Sequence, residues 1–429
     1  MRYLQNACVL LLLFAPCAAV RGDWRQFRGP TGQGVSDEKN LPVQWSADGN
    51  IAWKVKLPGA GASSPIILGK RIYLTCYSGY GMDTKKPGEQ KDLRRHLLCL
   101  DRANGQVIWS KEFEPILPEH NYDGEGSYQG YAASTPITDG EKLFVFFGKS
   151  GVFCFDLDGK QLWHVLVGKG TRSWGSGASP MLYKDLVVIN ASVESNSLIA
   201  LEKSNGKEAW RAPKVGSAWG TPVLVTPPPQ PPLDKGGKRG VELTLSMEGR
   251  VAGFDPDSGK ELWSAAGHKN YVVPSVVAHD GIIYAIGGGG TSLAIKSGGR
   301  GDVTETHVLW RTAKGSNASS PIYHDGSLYW TSESGGVLHV QDAKTGKSTE
   351  NRLGPDVGRM WASPILADGK LYFLTQFKGT YVVAARPKFE LLAHNVFEDD
   401  KSRSNASLAV SDGQLFLRND QYLYCIGKR

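Results

Sequence analysis

A chain of 429 residues that is 41% hydrophobic, with 12 Trp, has the apolar material for a large core, and its length alone would allow two or three domains. The formal net charge is +7, and outside residues 85–95 and 235–239 its Lys and Arg are scattered. A modest, dispersed surplus of this kind does not point to nucleic acid.

Residues 1–22 read as a secretory signal: Arg2 gives a charged start, and an apolar run containing Leu10-Leu11-Leu12-Leu13-Phe14 is followed by small residues. Cleavage is expected near Ala19 or Gly22. Pro16 before Cys17 suits a lipoprotein signal poorly. No other apolar run reaches membrane-spanning length, so the expectation is a periplasmic or secreted protein with no transmembrane segment. A lead-in segment, 23–50, follows, and 51–429 is read as one repeat-built unit.

That unit is built on a recurring phrase. Its opening element appears as Ser64-Pro65, Thr135-Pro136, Ser179-Pro180, Thr221-Pro222, Pro274-Ser275 (inverted), Ser320-Pro321 and Ser363-Pro364, with Ser407-Leu408 as a proline-free copy. Successive spacings are 71, 44, 42, 52, 47, 43 and 44 residues, the length of a four-stranded propeller blade. Asp-Gly turns, as in Asp325-Gly326 and Asp368-Gly369, precede period-two strands. Turns such as Asn104-Gly105 and Asn205-Gly206 lead to strands carrying Trp109 and Trp210, so each joins the last two strands of a blade.

The predicted fold is therefore all-β: an eight-bladed β-propeller of four-stranded blades. The last blade lacks an outer strand at the C-terminus, and Ile51-Ala52-Trp53-Lys54-Val55 has the right pattern and no blade of its own. The N-terminal strand is expected to close the ring and so remove two exposed sheet edges. Seven blades with an added C-terminal hairpin is the competing count. Cys99, Cys154 and Cys425 share one register with Ala200, Gly253 and Ala294; a slot filled by Cys, Ala or Gly reads as close packing, hence free buried thiols.

Ser-Pro, Asp-Gly and Asp-x-x-Thr-Gly-Lys, the last as Asp342-Ala343-Lys344-Thr345-Gly346-Lys347, together resemble the PQQ-like repeat family across residues 51–426. The resemblance implies the eight-bladed propeller of the quinoprotein alcohol dehydrogenases, a fold that also occurs in non-catalytic members such as the propeller lipoprotein of the outer-membrane β-barrel assembly machinery. Trp24-Arg25-Gln26-Phe27-Arg28-Gly29-Pro30 looks like the lead-in of short secreted PQQ-like proteins. The dehydrogenases carry a vicinal Cys-Cys pair against the quinone, and some a Cys-x-x-Cys-His haem motif; neither occurs here. No local motif allows their Glu, Asn and Asp calcium ligands to be transferred.

The loops entering each first strand, with those joining the second to the third, are expected to open on one face around the channel. They place Arg172, Trp174, Trp219, Tyr271, Asn317, Arg359, Trp361 and Asn405 at a concave mouth, where a planar or polar ligand could stack and hydrogen-bond. The competing reading of the Trp residues is closure packing between blades. Glu194, Glu248 and Glu333 are candidate oxygen ligands for a hard cation if they converge. Two insertions, 77–95 and 111–131, rise beside blades 1 and 2 with opposite charge and are expected to pack together as a lid or partner-binding ridge. A proline-rich insertion, 226–240, should leave the opposite face.

These readings favour an exported, monomeric, non-catalytic propeller that binds an envelope protein or a small ligand through its loop-rich face. The alternative is a PQQ-dependent dehydrogenase-like oxidoreductase, with PQQ and Ca²⁺ as cofactors and stacking on Trp174, Trp219 or Trp361. A carbohydrate-binding module is a third reading.

Overall fold

The computed structural model describes residues 22–172, 174–228 and 240–428; the expected signal and most of the proline-rich insertion lie outside them. The strands form eight sheets, each containing the four antiparallel strands of one blade. Blade 1 is Ile66–Leu68, Arg71–Ser78, Arg94–Asp101 and Val107–Phe113. Blades 2 to 7 follow in order, headed by Ile137–Thr138, Met181–Tyr183, Val223–Val225, Val277–His279, Ile322–His324 and Ile365–Ala367. In the eighth sheet Ile51–Lys56 pairs antiparallel with Tyr422–Ile426, beside Gln414–Arg418 and Ala409–Ser411. The ring is thus closed by the N-terminal strand, and the count is eight.

Three features of the repeated phrase now have physical causes. Asp325 and Gly326 have φ of 44° and 75°, and Asp368 and Gly369 have 52° and 67°. Positive φ at both central residues is the type I′ geometry that matches strand twist, and Gly adopts it without steric cost. In blades 1, 2, 3, 5 and 8 the outer-strand Trp docks the blade onto the next. Trp109 Nε1 donates to Leu157 O (3.2 Å), Trp163 Nε1 to Lys203 O (3.1 Å) and Trp53 Nε1 to Arg102 O (3.0 Å), the last across the closing seam. A Cβ on the turn glycine beneath, Gly206 for example, would lie 2.7 Å from Trp163. The small-residue slot sits directly across from the same Trp: Cys99 pairs with Trp109, Cys154 with Trp163, Ala200 with Trp210, Gly253 with Trp263 and Cys425 with Trp53. All four cysteines of the described residues are buried, and Cys99 and Cys154 of the shared register are free thiols.

The Ser or Thr of the opening element forms a hydroxyl ring. The backbone N–H of Ser64 donates to Thr135 Oγ1, and the pattern continues blade to blade through Ser179, Thr221, Ser275, Ser320 and Ser363 to Ser407, at 2.9–3.1 Å. At the seam Arg418 takes over: its buried guanidinium donates to Ser63 O, Ser63 Oγ and Thr75 O, each at 2.9 Å. The core is not one mass but a succession of apolar clusters between neighbouring blades, such as Phe144, Cys154 and Trp163 against Val187, Ile189 and Ile199.

Candidate functional site

The channel along the ring axis is blocked from one end by the lead-in segment. Trp24 exchanges backbone hydrogen bonds with Ile67 of blade 1 (both 2.9 Å), and Arg25 O accepts from Thr138 of blade 2 (3.1 Å). Gln33 Oε1 then accepts from Ala278 of blade 5 (2.7 Å), and Arg28 Nη2 donates to Pro321 O of blade 6 (2.5 Å). Val35–Ser36 adds as a parallel fifth strand to blade 7, and Glu38 Oε2 accepts from Gly413 of blade 8 (2.6 Å). Six blades are tied by one strap, in which Trp24 is 1% and Arg28 0% exposed. A broad depression of about 1070 Å³ lies beside this strap, lined by Trp24, Arg25, Ile137, Thr138 and Leu182 among others.

The opposite mouth is covered by the two insertions, which pack on each other as expected. Tyr77, Tyr80 and Leu93 from one side meet Tyr122 and Tyr131 from the other in a buried cluster. Arg95 and Glu119 form an almost fully buried ion pair at 2.8 Å, and Gln90 Nε2 donates to Glu119 O at 3.0 Å. A buried pair with both charges hydrogen-bonded is costly to break singly, because the survivor is left desolvated. From this base the second insertion crosses the mouth. Arg403 Nη1 of blade 8 donates to Ser127 O (2.7 Å) and Asn405 Nδ2 to Tyr128 O (2.5 Å), while the Tyr128 ring packs on Trp361 at 5.0 Å. The Arg359 guanidinium lies 5.0 Å from the same Tyr128 ring.

The expected mouth residues fall into two groups. Trp174, Trp219 and Tyr271 pack on one another, with Trp174 4.3 Å from Tyr271 and 5.2 Å from Trp219. Both indoles are buried, and Trp219 Nε1 donates to Gly175 O (2.8 Å). Arg172 lies over Trp219 at 6.0 Å and donates to Ser217 Oγ (2.8 Å) and Asn196 Oδ1 (3.1 Å), which supplies the partners a guanidinium needs there. Arg359, Trp361 and Asn405 instead gather under and around the lid tip, and Asn317 reaches Tyr271 Oη and Glu333 Oε2, each at 3.5 Å. The three candidate carboxylates stand apart: Glu248 is exposed, Glu333 half-buried beside Asn317, and Glu194 buried with Ser176 donating to it. No group of three or more His, Cys, Asp or Glu with metal-holding geometry occurs among the described residues.

Between strap and lid lies a chamber of about 80 Å³, floored by Phe27 and lined by Gln129, Trp219, Trp361 and five hydroxyls of the ring. Small-molecule sites span roughly 300–1,000 Å³. A tricyclic quinone cofactor does not fit this chamber with the lid in place. Burial sets the electrostatics of the lid base. It pushes the Glu194 carboxyl up to about 7, against the hydrogen bond from Ser176, and pulls His120 down to about 4 with help from Arg95. Phe27, Arg28, Tyr128 and Gln129 were not expected at the channel, since nothing in the repeat marks them; the ring hydroxyls were visible as the constant Ser or Thr of the phrase.

A closed ring of eight four-stranded blades, five of them docked on the next by Trp over a turn glycine, defines a propeller of the PQQ-like repeat class. Residues 94–352 match the family model described as outer membrane protein assembly factor BamB, and the chain belongs to this family. It is 23% identical over 425 residues to outer membrane protein assembly factor BamB of Burkholderia pseudomallei, covering 86% of this chain and 94% of that protein. It is 22% identical over 346 residues to tetrathionate hydrolase of Acidithiobacillus ferrooxidans, covering 76% of this chain and only 64% of that protein's length. The solved quinohemoprotein alcohol dehydrogenase of Comamonas testosteroni has the same fold, with a TM-score of 0.61 at 12% identity over 96% of this chain and 82% of that chain. No helix of the described residues is long and apolar enough to cross a membrane.

Proposed function

We propose that this protein is an exported, non-catalytic propeller that docks a protein partner on the face bearing the two insertions. The observation that carries the reading is the state of the channel: strap and lid fill both ends, so the recognition surface is the outer skin of the lid. That skin exposes Met82 (48%), Ile116 (37%) and Leu117 (47%), side chains that the insertions leave outside their own tyrosine core. Apolar side chains on a rigid, well-anchored ridge are the usual material of a protein contact. Membership of the assembly-factor family supports a binding role in the cell envelope.

The test is site-specific photo-crosslinking in the intact envelope. A photoreactive side chain at Leu117 is expected to give a discrete protein adduct that disappears with Ile116→Asp. The same probe at Leu162, on an outer strand of blade 2, should give none. Equal adducts at both positions, or none at Leu117, would overturn the reading.

A further inference from the structure

The channel chamber is ringed by hydroxyls with a proton left to donate. Each ring hydroxyl spends a lone pair on the N–H of the preceding blade, so its own O–H proton remains to be given away. Thr221, Ser275, Ser320, Ser363 and Ser407 bring five such protons to one cavity. Trp361 adds its indole N–H, which is buried and has no protein partner. Gln129 Oε1 is likewise buried without a protein partner. No acidic or basic side chain lines the chamber.

A buried cation lies next to it. Arg28 is 0% exposed, its Nη2 is held only by the carbonyls of Gln33 (2.9 Å) and Pro321 (2.5 Å), and its Nε and Nη1 have no partner. Pro321 follows Ser320 in the ring, and a Cβ on Gly34 would touch both Arg28 Nη2 and Pro364 O, each at 3.0 Å, where Pro364 follows Ser363. Through Pro321 the guanidinium is tied to the residue after the ring's Ser320, and in the strap Arg28 directly follows Phe27, the chamber floor. No carboxylate pairs with it among the described residues. Desolvation pulls it down to about 9, still charged at neutral pH. A desolvated positive charge without a counter-charge is among the most expensive features a core can hold.

We infer that the chamber is a site for one small monovalent anion of halide size, held by the hydroxyl ring and Trp361 and balancing the charge of Arg28. Waters could fill about 80 Å³ and hydrogen-bond to the hydroxyls, but they would leave the charge of Arg28 without a counter-charge. An anion accepts from the same hydroxyls and supplies that charge. The ion would act as a hub that ties the inner ends of blades 4 to 8 to the strap beneath them.

Bromide is the probe. Crystals of the mature protein grown in sodium bromide are expected to show one anomalous peak inside the chamber. The thermal midpoint should rise saturably with bromide or chloride, but not with gluconate, at fixed ionic strength. Trp361→Phe, which removes one neutral donor and no packing element of the ring, should weaken half-saturation about fivefold. Arg28→Gln should abolish the response; if that variant does not fold, the Trp361→Phe titration and the anomalous map carry the test. A midpoint indifferent to the identity of the anion, bromide confined to the outer surface, or an unchanged titration in Trp361→Phe would each overturn the assignment and leave the chamber to water.

Discussion

The two ends of the channel are closed by different physics. The strap at one end binds through the backbone, making main-chain hydrogen bonds to blades 1, 2 and 7 and a parallel strand pairing with Leu366 and Ala367, and it buries Trp24 completely. The lid at the other end has a buried base, the tyrosine cluster with Arg95 and Glu119, but its tip is held by side chains alone: Arg403, Asn405 and the Tyr128–Trp361 contact. Backbone pairing within sheet geometry is all-or-none, whereas side-chain contacts at a loop tip open at low cost. The strap is thus part of what holds the ring, and the lid tip is the part free to respond to a partner.

The largest expected effect tests the strap. Trp24→Ala removes a fully buried indole clamped between Ile67 and Gly29, whose own Cβ would lie 2.6 Å from the ring. A loss of about 3–5 kcal/mol is expected, as for other large-to-small core changes. Chemical denaturation of the mature protein measures it, and a loss below about 1 kcal/mol would show that the strap merely lies on the ring.

The second prediction probes the lid face by pH. On the lid side, burial raises Glu194 to about 7 from its ordinary 4.5, so the fold prefers the neutral acid. Its contribution is fully present below pH 4.5 and is lost as pH rises through about 7. Glu194→Gln, a neutral mimic, should therefore raise stability by about 2 kcal/mol at pH 8 and change little at pH 4.5. Buried histidines act in the other direction. Desolvation holds His268 and His339 down at about 4, so they stabilise above pH 6.5 and less as pH falls toward 4. Thermal midpoints across pH 4.5–8 should show the alkaline loss vanish in Glu194→Gln while the acid loss remains. A parallel shift at every pH would mean that packing, not ionisation, is being measured.

What was legible in the sequence follows the same divide. The repeated phrase gave the blades, the turns, the closing strand and the slot opposite each Trp, because those contacts recur at fixed spacing. It carried the hydroxyl ring as well, though the ring's meaning needed the observation that Ser320 and Ser363 donate N–H groups blade to blade. The strap and the lid tip were not legible in detail. Gln33 reaches Ala278, and Tyr128 reaches Trp361, through contacts made once, at long sequence separation and outside any period. Likewise Trp174 and Trp219 sit where the loop pattern placed them, but Tyr271 turns them inward onto each other, and only side-chain packing decides that.

The smallest effect probes the lid tip and is the most direct test of the difference between the ends. Tyr128→Ala leaves the base untouched, since Arg95, Glu119 and the tyrosine cluster lie elsewhere in the insertions. It removes the ring that covers Trp361 and underlies Arg359. The tip is part-exposed and its backbone contacts to Asn405 and Arg403 persist, so a cost of about 1 kcal/mol is expected. Acrylamide quenching of Trp fluorescence should nevertheless increase, as Trp361 gains a path to solvent. If stability instead falls as far as in Trp24→Ala, the tip is as rigid a closure as the strap, and the difference between the two ends disappears.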